Sequence, residues 1–167
     1  MSLICNDNFK WFLIRDNFLS PEECEEQIKL IDKCQLKKVA IDDKELLSKL
    51  WNIIKLSNDL VYKFDISGIQ NSWGKSYSVD SFKEDKHYHT DFAAGPDRLV
   101  DTTTKLTSVV FLNDDYDGGE LEIWGDKIES KIGRMVIFPS FAAHKVLQFS
   151  KKDRKMLITF IEGNTFK

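Results

Sequence analysis

Cysteine is scarce in this sequence: Cys5, Cys24 and Cys34 are odd in number and lack the spacing of a metal-binding set. A disulfide scaffold is therefore not expected, and a reducing compartment is the simpler setting. Basic charge is not in surplus either. Lys and Arg number 24 against 27 Asp and Glu, for a net charge of −3, and the pI is near 5.7. The bases are scattered apart from Lys151-Lys152-Asp153-Arg154-Lys155. A protein whose main task is gripping a nucleic acid backbone concentrates positive charge on one surface, so no nucleic acid partner is expected. Long apolar runs are missing too. None approaches the roughly 18 residues of a membrane span, and Met1 to Phe9 carries no basic-then-apolar signal pattern. The expectation is a soluble, cytoplasmic protein without membrane contact. Internal repeats and low-complexity segments are also absent.

What is present fits one globular domain over residues 1–167: the 167 residues are 42% hydrophobic and 31% charged. Its first part, residues 1–67, reads as helical support. Phe9 to Phe18, with Trp11-Phe12-Leu13-Ile14, suits an opening strand. Ser20-Pro21-Glu22-Glu23 then announces a helix, with Ser20 as cap, Pro21 in the first position and Glu23 closing a capping box. Leu19 against Cys24 would add the staple, and Ile28 and Ile31 continue the apolar spacing to about Cys34. Asp42 with Glu45 suggests a second capping box. From there Leu46, Leu47, Leu50, Ile53, Ile54, Leu60, Val61 and Phe64 keep to one stripe, which predicts a helix packed on a sheet. After Gly68 the pattern turns to strands, near Trp73 to Phe82, Leu106 to Leu112, Glu120 to Trp124, Met135 to Phe138, Ala143 to Phe149 and Arg154 to Glu162. Gly125-Asp126 reads as a two-residue hairpin turn. Short strands following two helices predict a mainly β fold, a sandwich or jelly roll over residues 68–167 with the helices on one outer face.

Within that β region stands His87-Tyr88-His89-Thr90-Asp91. Side chains two apart on a strand point the same way, so His89 and Asp91 share a face. His144, at the end of the apolar run Ile137 to Ala143, offers a third ligand from a distant strand. Two imidazoles and one carboxylate with open positions form the facial triad of non-haem Fe(II) oxygenases. His87 lies on the same face as His89, so a His-x-His start of the cupin type is an alternative.

These phrases, in their order, resemble a family. His89-x-Asp91, then Phe111-Leu112-Asn113-Asp114-Asp115-Tyr116-Asp117-Gly118-Gly119-Glu120-Leu121, then Phe138-Pro139-Ser140, His144-x-Val146 and Arg154 look like the 2-oxoglutarate and Fe(II)-dependent dioxygenases. The resemblance is nearest to their prolyl 4-hydroxylase branch. It implies a double-stranded β-helix, or jelly roll. It also implies Fe(II) held by His89, Asp91 and His144, with 2-oxoglutarate and O2 as cosubstrates and ascorbate as a protective additive. Arg154, ten residues after His144, would pair with the far carboxylate of 2-oxoglutarate, a role for which a forked guanidinium suits better than an ammonium. Alternation puts Arg154, Met156, Ile158 and Phe160 on one inward row. The reaction implied is hydroxylation of an unactivated C–H bond with release of succinate and CO2, favouring a prolyl residue of a peptide or protein.

The chain departs from the branch at several points. Phe82 stands where many relatives have a cosubstrate-lining tyrosine, with Tyr77 earlier on the same expected strand. Phe111 replaces a second tyrosine. Tyr77, Thr107, Ser108 and Thr159 are the candidates for a pocket hydroxyl. Phe160 occupies the position of the second arginine of nucleic acid demethylases, which argues against that subgroup. A hydroxylase of a free amino acid or other small molecule, and a cupin-like metal binder using His87, remain alternatives. The segment Phe92 to Thr104 is expected to form a flap over the metal.

Overall fold

The computed structural model describes residues 11–82, 86–92 and 102–165. The expected flap falls largely outside them. The chain opens with a short strand, β1 (Leu13–Arg15), and helix α1 (Pro21–Lys33), capped as its sequence predicts: Ser20 accepts from the Glu23 amide and Glu23 reaches back to the Ser20 amide. An edge strand, β2 (Lys38–Ala40), follows and was not expected. Helix α2 (Lys44–Ser57) begins one residue later than predicted. Its cap is Asp43 rather than Asp42, because the Asp43 carboxylate is the one that reaches the Glu45 and Leu46 amides. A π-helical turn (Asn58–Tyr62) ends it. That change of pitch breaks the apolar stripe, leaving Leu60 and Val61 exposed while Leu46, Leu50 and Ile54 are buried.

The β region comprises β3 (Gly68–Tyr77), β4 (Thr102–Phe111), β5 (Asp117–Gly118), β6 (Leu121–Ile123), β7 (Asp126–Ile128), β8 (Met135–Pro139), β9 (His144–Val146), β10 (Phe149–Ser150) and β11 (Arg154–Asn164). A six-stranded sheet runs β1-β8-β4-β11-β3-β2, a three-stranded sheet runs β7-β6-β9, and β10 pairs with β5. Each pairing is antiparallel. The result is the jelly roll with two supporting helices.

Two corrections concern boundaries. Phe82 does not close a strand: β3 ends at Tyr77, and a 3-10 turn (Val79–Ser81) carries Phe82 into a small cluster with Phe149 and Tyr116. The β6–β7 turn is Trp124-Gly125 rather than Gly125-Asp126, both with positive φ, 48° and 90°. Such a turn matches the twist of its strands, and glycine adopts its half without steric cost.

Alternation along the long strands decides which residues see the helices. Leu106, Val110, Leu157 and Ile161 pack with Ile31, Leu50 and Ile54 of the helices, whereas Val109, Phe111 and Met156 face the smaller sheet with Leu121, Ile123 and Phe138. Gly74 is the point of closest approach on β3. A Cβ there would lie 2.9 Å from the Ile31 side chain. Burying a residue such as Leu50 contributes about 1.5–3 kcal/mol, so this layer holds the sheet that carries one half of the site.

Candidate metal centre

Residues 86–92 lie extended against β9. The Lys86 amide donates to the Val146 carbonyl at 3.0 Å, His89 and His144 exchange two backbone bonds of 3.0 and 2.9 Å, and the Asp91 amide donates to the Ser140 carbonyl at 2.8 Å. Alternation along this strand turns His89 and Asp91 to one side, beside His144. The nearest oxygen of Asp91 is 3.3 Å from His144 Nε2, the other is 3.8 Å from His89 Nε2, and the three ligand atoms lie within 4.8 Å of one another. Two nitrogens and one carboxylate oxygen at this separation suit a single divalent transition metal.

The surroundings fix these side chains in place. His144 is buried, and its Nδ1 lies 2.9 Å from the Ala142 carbonyl. A carbonyl only accepts, so Nδ1 carries the proton and Nε2 is left to coordinate. Phe138 packs edge-on against the same imidazole at 4.8 Å. Asp91 Oδ2 accepts from the Thr107 hydroxyl at 3.0 Å, and Thr107 also contacts Ser140 Oγ at 3.0 Å. His89 stays exposed, so the triad opens to one side. His87 is not in the cluster: it is exposed, and its carbonyl lies 3.4 Å from His89 Nδ1.

A cavity of about 180 Å³ extends from the triad along the inner face of the six-stranded sheet. Arg154, Met156, Ile158 and Phe160 all line it, as alternation predicted, with Tyr77 beside Arg154 in register across β3 and β11. Arg154 is buried to 1% exposure. Its Nη1 contacts Met156 Sδ at 3.3 Å and its guanidinium sits 5.2 Å from the Phe111 ring centre. Nε and Nη2 have no hydrogen-bond partner among the described residues. Burial pushes its pKa down, and the nearby phenols of Tyr116 and Tyr77 oppose that shift. No hydrogen bond of normal geometry joins the Tyr116 hydroxyl to it. A buried cation with unused N–H donors is costly alone and fits a cavity made for an anion.

Not every expected residue arrives there. Thr159 points to the helix side, where its hydroxyl lies 2.9 Å from Ser72 Oγ, so it is not available to a cosubstrate. Ser108 shares that side. Thr107 lines the cavity, but its hydroxyl is engaged by Asp91 and Ser140. Sequence reasoning names Ser140 and Tyr116 only within longer phrases, without a role, and does not single out Lys75 or Lys38. Lys75 was within its reach, because alternation back from Tyr77 puts it on the same wall.

The 2OG-Fe(II) oxygenase superfamily matches residues 77–162. The fold is similar to that of a viral collagen prolyl hydroxylase from Paramecium bursaria Chlorella virus-1, solved with 2OG, at TM-score 0.75 and 17% identity over 96% of this chain and 99% of that one. It is similar to a Pseudomonas putida prolyl-4-hydroxylase at TM-score 0.73 and 16% identity, covering 93% and 94%. A Phytophthora capsici prolyl 4-hydroxylase gives TM-score 0.66 and 19% identity over 92% of this chain and 59% of that one. No protein of curated function matches the chain in sequence. At these identities the solved structures speak for the fold, and the sequence match, spanning just over half of the residues, speaks for the family: the chain belongs to the 2OG-Fe(II) oxygenase superfamily.

Proposed function

We propose that this protein hydroxylates an unactivated C–H bond of a prolyl residue in a peptide or protein, using Fe(II), 2-oxoglutarate and O2. His89, Asp91 and His144 would hold the metal. Arg154 would receive the far carboxylate of the cosubstrate, with Tyr77 beside it. The observation that carries the reading is the pairing of two unlike features in one cavity: a metal-type donor set at one end and a buried guanidinium with unsatisfied donors at the other. The bound iron and cosubstrate would supply O2 activation, with loss of succinate and CO2.

The chain's own residues do the rest. Ala142 holds His144 in the coordinating tautomer, and Thr107 holds the Asp91 carboxylate in place. Met156, Ile158 and Val109 keep the wall between metal and guanidinium apolar, which strengthens the charge pairing at Arg154 and limits water. The prolyl preference is supported by similarity to prolyl hydroxylases in fold, and a free amino acid would meet the same machinery.

The test is anaerobic loading with Fe(II) and 2-oxoglutarate, then admission of O2 in the presence of ascorbate. Succinate release is followed against proline-containing peptides and free amino acids. Substrate-dependent succinate with a matching gain of one oxygen in a peptide supports the proposal. Iron-dependent binding of 2-oxoglutarate with turnover confined to free amino acids would move the substrate class.

A further inference from the structure

Lys38 and Lys75 belong to the same cavity wall as Arg154. They face each other in register across β2 and β3, and like charges directly opposite in an antiparallel pair cost stability. Neither has a carboxylate within salt-bridge reach among the described residues, whereas Lys29, Lys49, Lys55, Lys151, Lys152 and Lys155 each do. Their ammonium groups rest on aromatic rings of the cavity instead, Lys38 at 3.5 Å from the Trp73 ring centre and Lys75 at 4.3 Å from that of Tyr77. A ring face attracts a cation without neutralising it.

The charge balance of the cavity follows. Lys38, Lys75 and Arg154 are its cations and Asp91 is its one carboxylate among the described residues. On the iron and 2-oxoglutarate reading, on which this step rests, a divalent metal cancels a dianionic cosubstrate and Arg154 cancels Asp91. The two lysines remain uncompensated. Next to them Trp73 meets Phe160 edge-on at 5.7 Å, and with Ile158 the two rings make an apolar ledge.

We propose that Lys38 and Lys75 receive a carboxylate of the primary substrate while its apolar part lies on the Trp73–Phe160 ledge. The substrate is therefore acidic, carrying the charge on a side chain close to the hydroxylated carbon. The alternative source of a carboxylate is the cosubstrate, because Lys75 pairs in register with Met156, two residues from Arg154.

The experiment measures affinity by calorimetry without O2, on enzyme loaded with Fe(II) and 2-oxoglutarate. The probes are proline-containing tripeptides that differ only in one flanking residue, glutamate, glutamine or lysine, and the free amino acids glutamate, glutamine and lysine. In at least one set the glutamate probe is expected to bind ten times more tightly than the glutamine probe. Added salt should weaken that preference, and the double variant Lys38→Glu with Lys75→Glu should reverse it. Absence of a glutamate preference in both sets, failure of every probe to bind, or a preference indifferent to the charge reversal overturns the proposal. So does a tenfold loss of 2-oxoglutarate affinity in Lys38→Met with Lys75→Met, which would give the lysines to the cosubstrate. That neutral variant should melt no lower than the parent, since it removes a repulsion. Failure of the underlying reading has its own signature: 2-oxoglutarate would show no iron-dependent binding to the unmodified protein, and both proposals would fall.

Discussion

Replacing Arg154 by methionine should raise stability and weaken cosubstrate binding together. The guanidinium is buried at 1% exposure, with Nε and Nη2 unpartnered among the described residues, so the free protein carries the desolvation cost of a charge with little return. Exchange of a buried ion pair for apolar side chains of similar volume is neutral or stabilises by about 1–4 kcal/mol, and a buried ion without a carboxylate partner has less attraction to lose. Loss of the contact with Phe111 takes back up to about 2 kcal/mol. A net gain of about 1–2 kcal/mol is expected, or roughly 2–8 °C in melting temperature for a chain of this size. Ligand should stabilise the parent more than the variant. At a hundredfold excess over its Kd, 2-oxoglutarate stabilises the parent by about 2.7 kcal/mol. A charge-assisted contact worth about 1.5–3 kcal/mol weakens binding by roughly ten- to a hundredfold when lost. The same concentration then stabilises the variant by only about 0.4–1.4 kcal/mol. Anaerobic urea unfolding of the Fe(II)-loaded proteins, with and without 2-oxoglutarate, reads both effects. A variant less stable than the parent without ligand, yet stabilised by ligand as much as the parent, would refute the reasoning.

Thr107→Val removes the hydrogen bond to Asp91 and should weaken metal binding by about ten- to a hundredfold, read by competition with a metal-sensitive dye. His87→Ala should leave that affinity within about twofold, whereas a loss as large as that of His89→Ala would favour the cupin-like arrangement. Cys24, on the buried face of α1, has its thiol pushed up to about 11 from an ordinary 9.0, chiefly by desolvation. The folded thiol keeps its proton where the unfolded one loses it. Its contribution is therefore complete below pH 9 and is lost as pH rises toward 11, at about 1.4 kcal/mol per pH unit. Urea midpoints of Cys24→Ala should fall less steeply than those of the parent over that interval, and parallel curves would contradict the assignment.

Local chemistry explains which parts of the molecule could be read from residues alone. The α1 capping box and the His89-x-Asp91 pair depend on neighbours within a turn or a strand, so their spacing carries the geometry. The choice between Asp42 and Asp43, by contrast, rests on which carboxylate reaches the Glu45 amide, and adjacent acids do not differ in pattern. The β6–β7 turn slipped by one residue because Gly125 suits either register, while the pairing of Ile123 with Asp126 selects one. Thr159 is a different kind of error. Once Arg154 faces inward, alternation already assigns Thr159 to the helix side, where Ser72 takes its hydroxyl. The same rule applied to Tyr77 would have brought Lys75 into the cavity. Its opposite number Lys38 lies on a three-residue edge strand with no periodicity to announce it.

The division of the site between the two sheets explains why the Thr107 hydroxyl is taken up by Asp91 and Ser140. His144 belongs to β9 of the three-stranded sheet, and His89 and Asp91 are tied to its edge and to Ser140. Arg154, Tyr77 and Lys75 belong to the six-stranded sheet. The His89–Asp91–His144 cluster and the guanidinium therefore share no strand, and the distance between them depends on the packing of Val109, Leu121, Phe138 and Met156 between the layers. Thr107 is the polar link across that gap, since it stands on β4 and bonds Asp91 from the opposite layer. A hydroxyl already spent on Asp91 and Ser140 is not free for a further partner. The inter-sheet core thus sets the span that a dicarboxylate would have to bridge.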